Sequence, residues 1–505
     1  EALYEALRRA PAMHPKPAFH ELRRAARNLF AHPERARLAA ASFHERDLPH
    51  PLTLEGLLDP YSTRVLFRTR ERRDFLEALV ETLYRGRSES IPVDQLIESA
   101  DDGIGRQILE NSPRSAYAGL LEEKVLARRV SASAEADQES VGFVEGTVFD
   151  FLLYRYLHRR YEDSDEILVE LTRGTRRMLF PGALQHLLAR RLAGGSAARL
   201  ERLLERGGTR LERLATRTLL LIDEYTTPRS SEDEGSHLAR LAHRLIETRH
   251  AGARRIVGRL SEGLFAAGRI EDAAEIASIA ADAAEAAGEP AGPPALRAGG
   301  AAIAAGDLKT GTRHVKRALK LLKKGEDAAA LARANSAMAE IEIRSERPKK
   351  ALGWVDAALA AAEDVDDPGL RLSLHRMRAR ILDLAGQADK SIEEIDRAID
   401  LAGRLGDKAR QADLYLERGE RTLAAGAHAQ AGFFLERAVH LARSTGDPVR
   451  NAAALDRLGE FHRKRGHREA ALSVAREALA IRESLGRSSE LVGLLCQVGA
   501  DLEAL

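Results

Sequence analysis

Small and apolar residues recur at a near-constant interval through the second half of this chain. Gly268, Gly306, Glu346, Gly386, Gly426 and Gly466 stand 38, 40, 40, 40 and 40 residues apart. Seven residues before them come Ser261, Gly299, Ala339, Ala379, Gly419 and Gly459. Five after come Ala273, Gly311, Ala351, Ser391, Ala431 and Ala471. Twelve after, the residue is alanine every time: Ala280, Ala318, Ala358, Ala398, Ala438 and Ala478. Larger apolar residues fill the gaps, such as Leu455 and Leu458 before one mark and Leu472 and Leu479 after it. A small residue on each of two helices lets their backbones approach, and a glycine between them permits the sharp turn. The pattern therefore predicts antiparallel helical hairpins. One hairpin cannot bury its own apolar face, so neighbours must cover it, as in a solenoid.

Upstream the pattern is less regular. Pro11, Pro15, Pro17, Pro33, Pro49, Pro51 and Pro60 break residues 1–62 into short helices. Residues 63–86 predict one longer helix, Pro92 opens a short one over VDQLIESA, and another follows near Ala116–Glu123. Lys124–Ala132 and Ser140–Glu145 then read as strands around the polar loop ASAEADQE, and apolar helix returns over 146–161. Three helices followed by a hairpin is the order of a winged helix. Residues 162–250 predict helices broken at Gly174, Pro181, Gly194–Gly195, Gly207–Gly208 and the polar run TTPRSSEDEGS at 226–236, the best linker candidate. The expected division is a helical segment at 1–62, a winged-helix-like module at 63–148 and bridging helices at 149–250. An array of about six repeats and a terminal helix would occupy 251–505.

The twelve-then-seven spacing of Gly459, Ala471 and Ala478, repeated by Gly419, Ala431 and Ala438, resembles the tetratricopeptide repeat. The family's aromatic positions are mostly missing, and the period is 40 rather than roughly 34, so helices or linkers are longer. The resemblance covers 251–505. It implies an all-α fold, a tetratricopeptide-like right-handed α-solenoid, that binds a protein or peptide in its concave groove. Transferred by register, the groove-facing first-helix positions are Arg333, Glu340 and Arg344, then Arg376, Arg380 and Asp383. Asp413 and Glu420 follow, and then Asp456, Glu460, Arg463 and Lys464. A basic stretch at 333–380 would adjoin an acidic one at 413–460, suited to a peptide with acidic and basic halves. VGFVEGTVFDFLLYRYL, residues 141–157, resembles the junction between winged helix and repeat sensor in signal-transducing NTPases of the STAND class. That resemblance implies the sensor part of a multidomain bacterial signalling protein whose nucleotide-binding core lies outside this chain.

Composition narrows the rest. Lys plus Arg number 78 against 77 Asp plus Glu, a net charge of +1, so a global nucleic-acid footprint is not expected. The one cysteine, Cys496, excludes an internal disulfide framework and fits a cytoplasmic protein. No run of about 18 apolar residues exists, and the mixed-charge start is not a signal peptide. The first residue is not Met and the last repeat stops short, which reads as an excerpt of a longer protein.

Candidate chemistry is sparse. Leu219–Glu224, LLLIDE, has the look of a Walker B strand, but the residues before it are helix-patterned. GDLKTGT at 306–312 mimics a phosphate loop without its lysine and sits on a repeat turn. His20, His32, His44 and His50 match no zinc spacing. The third helix of the winged-helix-like module carries two glutamates and no basic residue, against what a DNA-reading helix needs. The expectation is a non-catalytic regulatory scaffold without cofactor or metal. The alternatives are an accessory region of an enzyme whose catalytic domain lies elsewhere, or a DNA-binding regulator with a repeat sensor.

Overall fold

The computed structural model describes residues 2–8, 32–43, 52–99, 115–132, 137–161, 164–173, 180–222, 234–322, 327–363 and 365–485, with positions 19, 22, 27, 29, 30, 47, 48, 105, 108 and 112 between them. The chain divides into two compact units, Glu1–Glu289 and Pro290–Leu505. The expected array start at 251 falls inside the first unit, one hairpin before that division.

The first unit opens with α1 (Ala2–Arg8), α2 (Pro33–Ser42) and α3 (Leu54–Tyr61). A single π-helical turn, Ser62–Leu66, precedes α4 (Arg70–Gly86). The one helix expected over 63–86 is thus interrupted at 67–69. Thr69 is the cause: its backbone is extended, and its side chain accepts the Arg72 N–H at 3.2 Å, starting a new helix. Next come β1 (Ser90–Pro92), α5 (Val93–Ser99), α6 (Ala116–Glu122), β2 (Leu126–Ala132) and β3 (Asp137–Phe143). The strands form an antiparallel sheet in the order β1-β3-β2. The β2–β3 hairpin is legible in the sequence, whereas the three residues of β1 are too few to show alternation. The sheet's apolar face meets α7 (Gly146–Arg160) through Phe143 and Phe149, ring centroids 5.5 Å apart. Phe151, Leu152, Leu153 and Leu157 make α7 the buried axis of this region.

α8 (Ser164–Arg173), α9 (Pro181–Gly194), α10 (Ala197–Leu220) and α11 (Glu234–Glu247) follow. Gly208, at φ 60° and ψ −159°, kinks α10 where a break was expected. Asp223, Glu224 and most of the polar run at 226–236 lie outside the described residues, as do His20, His44, His50, Cys496 and the expected terminal helix. α12 (Ala251–Ala266) and α13 (Ile270–Ala286) form the first hairpin of the period.

The described residues of the second unit form a run of five hairpins: α14 (Gly292–Ala304) with α15 (Leu308–Leu322), α16 (Ala328–Arg344) with α17 (Pro348–Ala362), and α18 (Pro368–Leu384) with α19 (Ala388–Arg404). α20 (Lys408–Ala424) with α21 (His428–Thr445) and α22 (Pro448–Lys464) with α23 (Arg468–Leu485) complete it. Each helix packs on the next, which makes this an all-α, tetratricopeptide-like solenoid.

All six turn marks take left-handed backbone, from φ 58° at Glu346 to 87° at Gly306. The residue after each mark sends its N–H back five positions, for example Gln387 to Leu382 and His467 to His462. This closes the helix end that the small turn residue permits. Ala318, Ala358, Ala398, Ala438 and Ala478 are fully buried at the helix contacts. Asp327, Asp367, Asp407 and Asp447, also 40 apart, cap the first helices by accepting the N–H three residues on. No described helix is long and apolar enough to cross a membrane.

Candidate functional site

A period of 40 returns equivalent side chains to one face of successive first helices. On that face α16, α18, α20 and the start of α22 line a cavity of about 1080 Å³. Leu370, Leu372, Met377 and Leu414 contribute its apolar surface. The charged lining comprises Arg333, Arg376, Arg380, Arg410, Arg421 and Arg450, with Asp367, Asp413, Glu417 and Glu420. Arg333, Arg376, Arg380, Asp413 and Glu420 are residues that the register transfer singled out.

The others sit differently. Glu340 accepts from Arg344 at 2.9 Å and pairs with Arg380 at 3.5 Å, beside the cavity rather than on its wall. Arg344 also donates to the Ile303 carbonyl at 2.8 Å. Asp383 holds Arg421 at 2.8 Å. Asp456, Glu460, Arg463 and Lys464 lie on α22 and do not line the cavity. Asp456 pairs with Arg482 of α23. Burial raises its carboxyl above the ordinary range, although Arg482 opposes this. Glu460 binds Lys464 at 2.9 Å and Arg457 at 3.3 Å, and the Lys464 hydrogen bond holds its carboxyl below the ordinary range.

The expected split into a basic and an acidic stretch is not what the structure shows. Charges pair between neighbouring hairpins: Arg376 with Glu417, Arg421 with Asp383 at 2.8 Å, Arg450 with Asp413 at 2.9 Å, and Arg457 with Glu420 at 2.9 Å. The register transfer picked up the acids of 413–460 but passed over Arg410, Arg421, Arg450 and Arg457 on the same helices. Those four arginines cancel the acidic stretch.

Behind this face lies an ionic node. Glu394 of α19 is buried and binds His375 Nδ1 at 2.7 Å, Arg378 at 2.6 Å and Arg397 at 2.5 Å. Burial alone would push its carboxyl up. The His375 hydrogen bond and the two guanidiniums outweigh that and hold it below the ordinary range. Arg378 also reaches Asp356 of α17 at 2.8 Å, and Arg418 reaches Asp396 of α19 at 2.8 Å one period later. These Arg–Asp pairs tie α18 and α20 each to the preceding second helix. They were legible as a 22-residue offset repeated after 40.

In the first unit a cavity of about 250 Å³ lies against Leu76, Val80 and Leu152, with Arg155, Arg159 and Arg160 around it. Each of these arginines is ion-paired, to Asp59, Glu77 and Glu81 respectively. The arginines near α6 are engaged too. Arg72 makes two hydrogen bonds to Glu123, at 2.8 and 3.0 Å, and Arg128 donates to the Tyr117 hydroxyl at 2.9 Å. His32 lies 3.7 Å from Glu34, and no group of three metal-binding side chains occurs among the described residues. Leu219 is buried near the end of α10, which closes at Leu220, so LLLIDE begins as helix rather than strand.

The fold and this face define a tetratricopeptide-like solenoid with a charged cavity on its first helices. No protein-family model matches the chain, and no curated protein matches it in sequence. Similar solved structures include BtubC from P. vanneervenii, at 19% identity over 50% of this chain and 93% of that one, with a TM-score of 0.37. Another is a signal transduction ATPase with numerous domains and a tetratricopeptide repeat sensor from Pyrococcus horikoshii. It shows 15% identity over 95% of this chain and 66% of that one, with a TM-score of 0.40. A third is a Rap protein complexed with competence and sporulation factor, at 11% identity over 67% and 98%, with a TM-score of 0.37. The repeat geometry of this chain, not these likenesses, defines its fold.

Proposed function

We propose that this chain is a non-catalytic regulatory scaffold that binds a protein or peptide partner along the first-helix face of its second unit. The observation that carries this is the cavity of about 1080 Å³ shared by four successive first helices. Its walls offer guanidinium and carboxylate partners for a main chain and polar side chains, and its leucines and Met377 offer apolar contact. A face that runs across repeats suits an extended segment, because each hairpin adds equivalent positions.

In the first unit we read α4, β1, α5, α6, β2 and β3 as a winged-helix-like module, from the element order and the β1-β3-β2 sheet. Its role is structural: α6 ends in glutamates, and Arg72 and Arg128 are already bound within the module. The element order at 141–157 supports a place as the sensor part of a multidomain bacterial signalling protein in the cytoplasm. A DNA-binding regulator would instead show DNA affinity that falls steeply with salt.

The test is hydrogen exchange on the whole chain with peptides selected from a random library. Binding through the cavity protects 368–384 and 408–424 above their free-state level. Protection confined to the first unit refutes the proposal.

A further inference from the structure

We infer that the occupant of this cavity is an acidic peptide segment, read by carboxylate side chains; this rests on the peptide-binding function proposed above. Of the charged groups lining the cavity, the arginines outnumber the acids, and the two signs differ in how far they are committed. Asp413 holds Arg450 at 2.9 Å and Glu420 holds Arg457 at 2.9 Å. Glu417 is only 20% exposed, between Arg376 and Arg421. Asp367 is spent on capping α18, accepting the Leu370 N–H at 2.9 Å.

Four of the arginines stand out by their exposure. Arg333, Arg376, Arg380 and Arg410 are 55–59% exposed. Arg333 approaches Asp367 only to 3.6 Å and Arg380 approaches Glu340 only to 3.5 Å, at or beyond the limit of a hydrogen bond. A guanidinium has five N–H donors in a fork that matches a carboxylate. Arg376 is paired with Glu417, and Arg410 with Asp407 at 3.2 Å. One acidic partner each leaves the remaining donors of these exposed forks open to a ligand. The free binding capacity is therefore cationic across three successive hairpins, and its complement is a segment with carboxylates along its length. Among the described residues no aromatic side chain lines the cavity to stack a base, so a single-stranded nucleic acid is not favoured.

The experiment selects binders of about twelve residues, enough to extend across several helices, from a random peptide library against the full chain. Asp and Glu should be enriched over Lys and Arg among the selected peptides. Affinity of the selected peptides should fall about tenfold or more in the exposed double variant Arg376→Ala/Arg380→Ala. It should be unchanged in Arg404→Ala, on the exposed end of α19. Circular dichroism confirms that each variant is folded. Selected peptides that are neutral or basic overturn the acidic-segment inference while leaving peptide binding intact. Acidic peptides that ignore the double variant overturn the assignment to this cavity. No selection above bare support overturns the peptide-binding function itself.

Discussion

Gly299 and Gly300 are neighbours in α14, and replacing each with alanine should change stability in opposite directions. Neither has left-handed backbone, so alanine fits the φ of both. Removing a glycine from a helix interior gains about 0.5–1 kcal/mol in conformational entropy. Gly300 is exposed, and a Cβ there meets nothing within 4 Å, so Gly300→Ala should show that gain unopposed. A Cβ on Gly299 would stand 2.5 Å from Val315 Cγ2 and 3.2 Å from the Val315 backbone nitrogen on α15. Val315 is fully buried and, being β-branched, has essentially one helical rotamer, so it cannot swing aside. The two helices must part, at an overpacking cost of about 1–3 kcal/mol. Net, Gly299→Ala should lose up to about 2.5 kcal/mol, and its difference from Gly300→Ala is the overpacking cost itself, about 1–3 kcal/mol. Repeat arrays can unfold piecewise, so the urea midpoint should be read together with hydrogen exchange of 292–322. If Gly299→Ala gains as much as Gly300→Ala, helix contact is not the reason for the small-residue register.

Other positions give independent checks. Glu346 occupies the left-handed turn position at φ 58° that glycine fills elsewhere in the second unit, so Glu346→Gly should raise stability by about 0.5–1 kcal/mol, and a lower melting temperature contradicts this. Glu394→Ala strands the Arg378 and Arg397 guanidiniums and the His375 ring around a buried site and should lose about 2–4 kcal/mol at pH 7, toward the lower end because Arg397 is 56% exposed and can turn to water. Since the folded-state carboxyl lies below its ordinary value, its contribution is complete above the ordinary glutamate range. The gap between wild type and Glu394→Ala should therefore shrink as pH falls below about 4, and a gap that widens there is the contrary result. Asp150 behaves in the opposite sense: burial pushes its carboxyl up to about 6, despite the Ala183 N–H it accepts at 3.2 Å. The folded chain then binds this proton more tightly than the unfolded one, so its contribution to stability declines as pH rises from about 4 to about 6. Asp150→Asn should flatten that slope and match or exceed wild type at neutral pH, by at most about 3 kcal/mol; an unchanged slope argues against it.

The repeat region was readable because its constraints recur at fixed positions. A left-handed turn demands glycine or a tolerated substitute, and a close helix contact demands glycine, alanine or serine. Both demands print themselves every 40 residues from Gly306 to Gly466. The first unit prints no such period. Its β1 strand is held by pairing with Val141 and its neighbours on β3, and three residues cannot announce that. The break at 67–69 hangs on one hydroxyl, that of Thr69, inside a run whose apolar spacing is helical on both sides.

The cavity face was partly legible for the same reason, and the limit is instructive. Register says which face a position occupies but not which neighbour claims its side chain. Asp456 stands two periods after Arg376, yet it turns to Arg482 on its own hairpin while Arg376 lines the cavity. Pairings such as Arg450 with Asp413 join residues 37 apart, not 40, because the side chains lean along the helix to meet. The repeat thus supplies the scaffold, and under the proposed function the departures from it would supply specificity. Arg376 and Arg380 have no arginine counterparts 40 residues later, where Leu416 and Glu420 stand. A partner that reads this face must read those unrepeated positions, so substitutions there should change what binds, while substitutions at the repeated small residues should change whether the solenoid stands.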